Sequence, residues 1–317
     1  MPDTPYLSIV LTGRNDDFGG DFNNRLFCAM EFNHRQLSDC GIPHEFVFVE
    51  WRPVPGKRWL AEVLADRYHD LAGDMLVSYV ADAAYHEAYS LNPKLQFQEF
   101  IAKNIGIRHS RGAFLLTTNT DIYLSRGVLD VLQQRALTTG VLYRVRRVDL
   151  KDPIDYQQID WDILEDSRNY ETINEIRPPY YTNASGDFLL LDRTSYHHIR
   201  GFNEIVRVAK IHMDSNFCLK ADSSGLTISP MSASVYHVGR GTWNSQRLLY
   251  TGNPHDAPWG DSRWKRAVVY DNPPTWGLSA APVRLMRRGV YHLDFTWDAV
   301  PPAVNLRGVV RPHREEH

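Results

Sequence analysis

The sequence has few cysteines and no long hydrophobic run. Its three cysteines (Cys28, Cys40 and Cys218) form no paired framework and no metal-binding spacing, which is typical of a reducing compartment. No run of about 18 apolar residues occurs, so no transmembrane segment is expected. The N-terminus also lacks the basic and then apolar pattern of a signal peptide. We therefore expect a cytoplasmic protein, with WGLSAAPVRLMRRGVYHL as an alternative segment for peripheral membrane contact.

The sequence also lacks an excess of charge of one sign and the common glycine-rich phosphate loops. Its formal net charge is −3 and it has no basic tract, so no nucleic-acid binding is predicted. Neither a G-x-G-x-x-G nor a Walker A run is present, which disfavours nicotinamide-dinucleotide and P-loop proteins. The hydrophobic content of 43% is sufficient for one large core. Nothing in the sequence predicts the oligomeric state.

Segments that predict strands alternate with segments that predict helices through the first half of the chain. YLSIVLT, HEFVFVEW and AFLLTT are dense in β-branched and aromatic residues, and amphipathic segments separate them. This alternation predicts an α/β protein whose mostly parallel sheet has helices on both faces. Ligands of such sheets bind beyond the carboxyl ends of the strands. Residues 12–16, Glu50 and residues 119–121 follow three predicted strands, so we expect them to meet in one crevice.

The tripeptide Asn119-Thr120-Asp121 follows the predicted strand AFLLTT. A hard divalent cation prefers oxygen ligands, and a carboxylate at a strand end supplies one of them. The oxygens of a diphosphate supply others, and the metal then neutralises charge on a departing nucleotide. The alternative is ordinary turn chemistry, because Asx residues at strand ends commonly form turns.

Other polar residues at predicted element ends have two interpretations each. Glu50 is placed either to bind a ribose or base, or to end a strand in solvent. Asp214 is either a general base that His212 modulates, or a helix cap that contributes roughly 1 kcal/mol. His237 is either a metal ligand or a satisfied polar group. Asp187 either contacts acceptor hydroxyls or closes a turn.

Taken together and in order, these segments resemble glycosyltransferases of the GT-A fold, close to the family-2 type. The resemblance covers roughly residues 6–243 and depends on order, since each motif alone is weak. Its segments are the strand before TGRND, the strand before Glu50, AKNIGIRHSRGAFLLTTNTD, ASGDFLLLDRTSYHHIRGFNE, HMDS and VYHVGRGTW. The family's first aspartate of D-x-D is replaced by Asn119, and Arg240 stands where a second histidine is expected.

The resemblance implies a hexosyltransferase that moves a sugar from a nucleotide-diphosphate sugar donor, with a UDP-sugar favoured, to a hydroxyl of a carbohydrate or other acceptor. It implies inversion at the sugar carbon, with Asp214 as the base and with Asp187 and Glu204 beside the acceptor. It also implies a divalent metal, Mn²⁺ or Mg²⁺, held by Asp121, His237 and Asn119. The residues implied for donor binding are Thr12, Gly13, Arg14, Asn15, Glu50, Asn104, Arg108, Asn119, Thr120, Asp121, Arg240 and Trp243.

The departures from the family pattern leave other functions open. Asn119 is an uncharged and weaker ligand than aspartate, and Arg240 is a candidate to pair with the diphosphate in place of part of the metal's charge. A sugar-nucleotide nucleotidyltransferase and a catalytically silent sugar- or nucleotide-binding protein remain alternatives. We expect residues 1–125 to form a nucleotide-sugar-binding half, 126–243 an acceptor half of the same domain, and 244–317 an irregular C-terminal extension packed on the body.

Overall fold

The computed structural model describes residues 4–90, 95–204, 213–238 and 271–302. Its strands are β1 (Leu7–Gly13), β2 (His44–Trp51), β3 (Leu76–Ala81), β4 (Phe114–Thr117), β5 (Ile122–Leu124), β6 (Val141–Leu150), β7 (Tyr170–Asn174), β8 (Leu189–Asp192), β9 (Thr227–His237), β10 (Val283–Arg287) and β11 (Val290–Leu293). Its α-helices are α1 (Phe22–Asp39), α2 (Leu60–Arg67), α3 (Ala83–Tyr89), α4 (Glu99–His109), α5 (Arg126–Gln133), α6 (Trp161–Glu165), α7 (Arg193–His198) and α8 (Met213–Ser223).

The described strands form one sheet, in the order β10-β11-β3-β2-β1-β4-β8-β6-β9-β5, with β7 paired to β6. The five consecutive strands β11, β3, β2, β1 and β4 pair in parallel. Beyond β4 the sheet is mixed, because β8 pairs antiparallel with β4 and β6, whereas β6 and β9 are parallel. The predicted α/β sheet with a smaller second region is therefore confirmed.

Helices cover both faces of the parallel strands because the side chains alternate between two apolar cores. Phe46 and Phe48 of β2 lie in the core that includes Leu26 of α1. Val47 and Val49, the intervening residues, lie in the core that includes Ile101 and Ile105 of α4. Successive strand side chains point to opposite faces. This is why β2 is buried along its whole length.

A glycine brings α4 close to the central strand. A Cβ at Gly106 would lie 2.4 Å from Cγ1 of Val10 in β1, well inside van der Waals contact. The close approach carries the first turn of α4 over the carboxyl ends of β1 and β4. It thereby positions Glu99, which lines the hollow at these strand ends, and Lys103, which pairs with Glu99.

The structure differs from the sequence-based expectations in three places. The sequence LTISPMSASVYHVG by itself predicts two short strands, but β9 runs unbroken from Thr227 to His237, with a register shift against β6 where it passes Pro230. The acidic and irregular sequence after Asp149 predicts a loop, but it contains α6 and β7. The described part of the extension, which was expected to be irregular, contributes two strands: β11 pairs parallel with β3, and β10 pairs antiparallel with β11. No described helix is long and apolar enough to cross a bilayer.

Candidate active site

A hollow lies at the carboxyl ends of β1 and β4, where the sequence predicts a crevice. Thr12, Gly13 and Arg14 line one side, and residues 119–121 and His237 line another. Its volume is about 150 Å³, smaller than the roughly 300–1,000 Å³ of typical small-molecule pockets. The described hollow therefore accommodates part of a nucleotide sugar, such as its diphosphate, rather than the whole molecule.

The strand register brings Asp121, His237 and Asp149 together although they are far apart in the sequence. His237 pairs with Ile122 across β5 and β9, and with Asp149 across β6 and β9. As a result, Nδ1 of His237 lies 2.9 Å from Oδ1 of Asp149, and its Nε2 lies 3.6 Å from Oδ2 of Asp121. The imidazole thus stands between two carboxylates at the rim of the sheet.

The two carboxylates and a neighbouring arginine set the protonation of this cluster. Burial acts to lower the pKa of His237, but Asp121 and Asp149 outweigh it and raise the pKa to about 10. Burial acts to raise the pKa of Asp121, yet His237 and Arg25 hold it below its ordinary value. The same balance, with Arg147 as the additional cation, lowers the pKa of Asp149. The cluster is therefore ionised near neutral pH.

Ion pairs continue from Asp149 to the loop before β8. Arg147 pairs through Nε with Oδ1 of Asp149 at 2.8 Å and through Nη1 with Oδ2 of Asp187 at 2.5 Å. Asp187 Oδ1 accepts a hydrogen bond of 2.6 Å from Nδ2 of Asn119. Because Thr117 pairs with Leu189 across β4 and β8, the residues just after β4 necessarily meet those just before β8. Register thus explains the contact between Asn119 and Asp187.

Lys103 of α4 completes the chain of charges. Its Nζ lies 2.8 Å from Oε1 of Glu99, and it donates to Oδ1 of Asn119 and to the carbonyl of Gly186, each at 3.1 Å. The backbone N–H of Gly186 donates to Oδ2 of Asp214 at 2.7 Å. Asp214 in the first turn of α8 is therefore joined to the hollow through the loop that carries Asp187.

Glu50 and Asn15, which were predicted to bind the donor, do not line the hollow. Glu50 is fully buried below it, where its Oε2 accepts the backbone N–H of Ala61 at 2.9 Å and so caps α2. Asn15 Nδ2 donates to the carbonyl of Arg58 near the same helix start. Burial raises the pKa of Glu50 to about 7. Donor binding by Glu50 and Asn15 remains a prediction.

The structure does not bring Asn104, Arg108 or Glu204 to the hollow. Asn104 Nδ2 donates to Oε1 of Glu204 at 2.8 Å, and the backbone N–H of Gly277 donates to the same oxygen at 2.7 Å. Arg108 lies over the ring of Trp276, 4.8 Å from its centre. These contacts fasten residues 272–277 to α4, and the predicted site roles of the three residues remain predictions. His212, Arg240 and Trp243 lie outside the described residues.

The sequence reasoning missed Arg25, Arg147 and Asp149. An arginine on an amphipathic helix normally predicts a solvated face, yet Arg25 is only 5% exposed and its Nη1 lies 2.7 Å from Oδ2 of Asp121. Asp149 had a detectable signal, since GVLYRVRRVDL predicts a strand and Asp149 lies near its end, just as Asp121 follows the strand AFLLTT. Arg147 had no comparable signal.

Once Nε2 of His237 has released its proton, as metal binding requires, the donor atoms at Asp121 and His237 fit a divalent cation. Two ligands of one metal, each bonded at about 2.0–2.2 Å, lie roughly 3–3.6 Å apart, and the Oδ2–Nε2 distance is 3.6 Å. Asp149 on Nδ1 is the carboxylate partner that typically orients a metal-binding imidazole. Within the described ranges, no group of three or more His, Cys, Asp or Glu side chains is placed to hold a metal. A bound diphosphate and water would therefore have to supply further ligands.

Comparison with known proteins gives structural likenesses only. No protein-family model matches the sequence, and no curated protein matches it. The catalytic domain of Drosophila β1,4-galactosyltransferase 7, solved with xylobiose, is 10% identical with a TM-score of 0.47, over 93% of this chain and 97% of that chain. GalNAc-T7, solved with UDP, GalNAc and Mn²⁺, is 13% identical with a TM-score of 0.48, over 83% of this chain and 47% of that chain.

A third likeness is to the mannosyltransferase PcManGT from Pyrobaculum calidifontis, solved with GDP-Man and Mn²⁺. It is 14% identical with a TM-score of 0.42, over 78% of this chain and 61% of that chain. This chain thus spans about half to three fifths of the length of the second and third of these proteins. Likenesses at this level assign no activity to the chain.

Proposed function

We propose that this protein is a glycosyltransferase of the GT-A type that transfers a sugar from a nucleotide-diphosphate sugar to a hydroxyl acceptor. The observation that carries the proposal is the meeting of Asp121, His237 and Asp149 at the carboxyl ends of the sheet, beside Thr12 and Gly13. Acidic and imidazole groups there suit a metal-bound diphosphate, and a hollow beyond parallel strands suits a nucleotide. A UDP-sugar donor and inversion are the finer parts of the proposal, and both depend on the family resemblance.

In this proposal the donor diphosphate lies over Thr12–Arg14 and residues 119–121. Mn²⁺ or Mg²⁺, held by Asp121 and His237, would supply positive charge that stabilises the departing nucleoside diphosphate. Asp149 keeps the Nδ1 atom of His237 engaged, so that Nε2 faces Asp121. Asn119 orients Asp187 at the acceptor side.

We assign the proton transfer to Asp214. Its carboxylate takes the proton of the acceptor hydroxyl, the oxygen attacks the sugar carbon, and the bond from that carbon to the diphosphate breaks. The hydrogen bond from Gly186 to Oδ2 fixes the carboxylate against the loop that carries Asp187. Removing a general base of this kind lowers the rate by roughly 10²–10⁴-fold.

The test is hydrolysis and transfer with UDP-, GDP-, dTDP- and CDP-sugars, each with and without Mn²⁺, followed by release of nucleoside diphosphate and free sugar. We expect slow release with one nucleotide class, and loss of release in Asp214→Asn. Asp222→Asn, which changes an exposed aspartate on the same helix, is the matched control and should keep the rate.

Other outcomes would replace the proposal. Binding of a sugar nucleotide without any turnover would identify a silent binding protein. Formation of pyrophosphate from a sugar phosphate and a nucleoside triphosphate would identify a nucleotidyltransferase. Full turnover in Asp214→Asn would show that the base is another residue.

A further inference from the structure

Arg25 of α1 occupies the place beside Asp121 where a cation would be expected to bind. Its Nη1 lies 2.7 Å from Oδ2 of Asp121, and its Nη2 donates to the carbonyl of Phe18 at 2.5 Å. The side chain is 5% exposed and lines the hollow. Two anchors and deep burial fix the guanidinium in place, so its charge acts on Asp121 with little screening by water.

One oxygen of Asp121 contacts the guanidinium of Arg25 and lies near the imidazole of His237. Oδ2 meets Nη1 of Arg25 at 2.7 Å and Nε2 of His237 at 3.6 Å. A divalent ion bound to this carboxylate would lie within about 5 Å of the guanidinium, at a distance where like charges repel by several kcal/mol at the effective dielectric of a partly buried site. Arg25 and a metal ion therefore oppose each other at Asp121.

The other acidic groups of the cluster already have cationic partners among the described residues. Glu99 pairs with Lys103, and Asp149 and Asp187 both pair with Arg147. Asn119 is uncharged, and its Oδ1 already accepts from Lys103. A diphosphate would change this balance, because its negative charges can be shared by a metal ion and by Arg25.

We infer that Arg25 is a positioning residue that makes divalent-cation binding at Asp121 weak until a diphosphate-bearing ligand is present. This inference deepens the proposed function and rests on its donor class. It predicts that the protein alone holds Mn²⁺ poorly because of a charge that belongs to the protein itself. Removing that charge should tighten Mn²⁺ binding in the absence of any nucleotide.

The test is a titration of the full chain with Mn²⁺ alone, followed by the electron paramagnetic resonance signal of free Mn²⁺. We expect Arg25→Gln to bind Mn²⁺ at least tenfold more tightly than the wild type. The double variant Arg25→Gln/Asp121→Asn should lose this gain, which locates the effect at Asp121. Arg58→Gln, which removes an exposed arginine that pairs with Asp66, is the control and should bind as the wild type does.

Arg25→Lys is a second variant that tests the inference if Arg25→Gln does not fold. Lysine keeps the charge but lacks the planar guanidinium that contacts both Phe18 and Asp121. We therefore expect Arg25→Lys to bind Mn²⁺ about threefold more tightly than the wild type. Equal or weaker Mn²⁺ binding in the folded variants would overturn the inference. Because no sugar nucleotide is used, that result is distinguishable from failure of the proposed transfer reaction, which is measured separately.

Discussion

Glu50 gives the sharpest prediction, because it is a fully buried carboxyl group without a cationic hydrogen-bond partner among those the structure describes. Its Oε2 accepts the N–H of Ala61 at the start of α2, and the backbone N–H groups of Leu60 and Asn15 also act to lower its pKa, but burial outweighs all three. Replacing Glu50 by Gln keeps the size and the acceptor oxygen but removes the ionisation. The comparison therefore isolates the cost of the charge.

The magnitude follows from the pKa. Burial raises the pKa of Glu50 from 4.5 to about 7, which corresponds to about 3 kcal/mol of folding free energy once the group is ionised. The stabilising protonated form is fully present below pH 4.5, and its contribution is lost as the pH rises through 7. Relative to wild type, Glu50→Gln should therefore gain about 1 kcal/mol at pH 5.5 and about 3 kcal/mol at pH 8.5.

The assay is urea unfolding followed by tryptophan fluorescence at pH 5.5, 7.0 and 8.5, with the free energy of unfolding compared at each pH. Glu87→Gln, on the exposed side of α3, serves as the control. Its free energy of unfolding should equal that of the wild type at each of the three pH values. A Glu50→Gln protein that is no more stable at pH 8.5 than the wild type would refute the reasoning. So would a stability difference that stays constant between pH 5.5 and 8.5.

Two further predictions concern buried residues that hold neighbouring segments of the chain together. Arg144 is fully buried and donates to the carbonyls of Tyr181, Asn183, Ser185 and Phe188. Arg144→Met should therefore lower the free energy of unfolding by about 3–5 kcal/mol and speed proteolysis of residues 181–188, whereas unchanged unfolding would contradict this. Gly277 has φ +62°, and a Cβ there would lie 2.7 Å from the carbonyl oxygen of Asn104. Gly277→Ala should thus lose at least about 1–2 kcal/mol in the same unfolding assay, and an alanine as stable as glycine would show that this contact relaxes freely.

The sequence predicts the parallel strands well because their signal is local. HEFVFVEW has an apolar centre, FVFV, and is followed by Pro53 and Pro55, and β2 has the predicted bounds. The edge strand β10 and its neighbour β11 could not be found in this way. All five residues of β10 are exposed, so β10 buries no apolar face, and its place in the sheet depends on its pairing with β11, which pairs with β3.

The site shows the same division between local and non-local information. Asp121 and His237 could be proposed because each is a polar residue at the end of an apolar strand. Their distance to Arg25 could not be predicted, because it depends on how α1 packs against β5, which no local pattern encodes. The pairing of Asp149 with His237 depends on the register of two strands 88 residues apart, and one residue of slippage would turn the side chain to the other face.

The neighbouring side chains explain why an amide suits position 119. Asn119 accepts from Lys103 through Oδ1 and donates to Asp187 through Nδ2, and an amide can do both, whereas an ionised carboxylate can only accept. An ionised aspartate at this position would place two carboxylates 2.6 Å apart at a partly buried contact, which is strongly unfavourable. Asp187 in turn is held by Arg147. An amide at residue 119 thus joins Asp187 to Lys103 without placing a second negative charge beside Asp187.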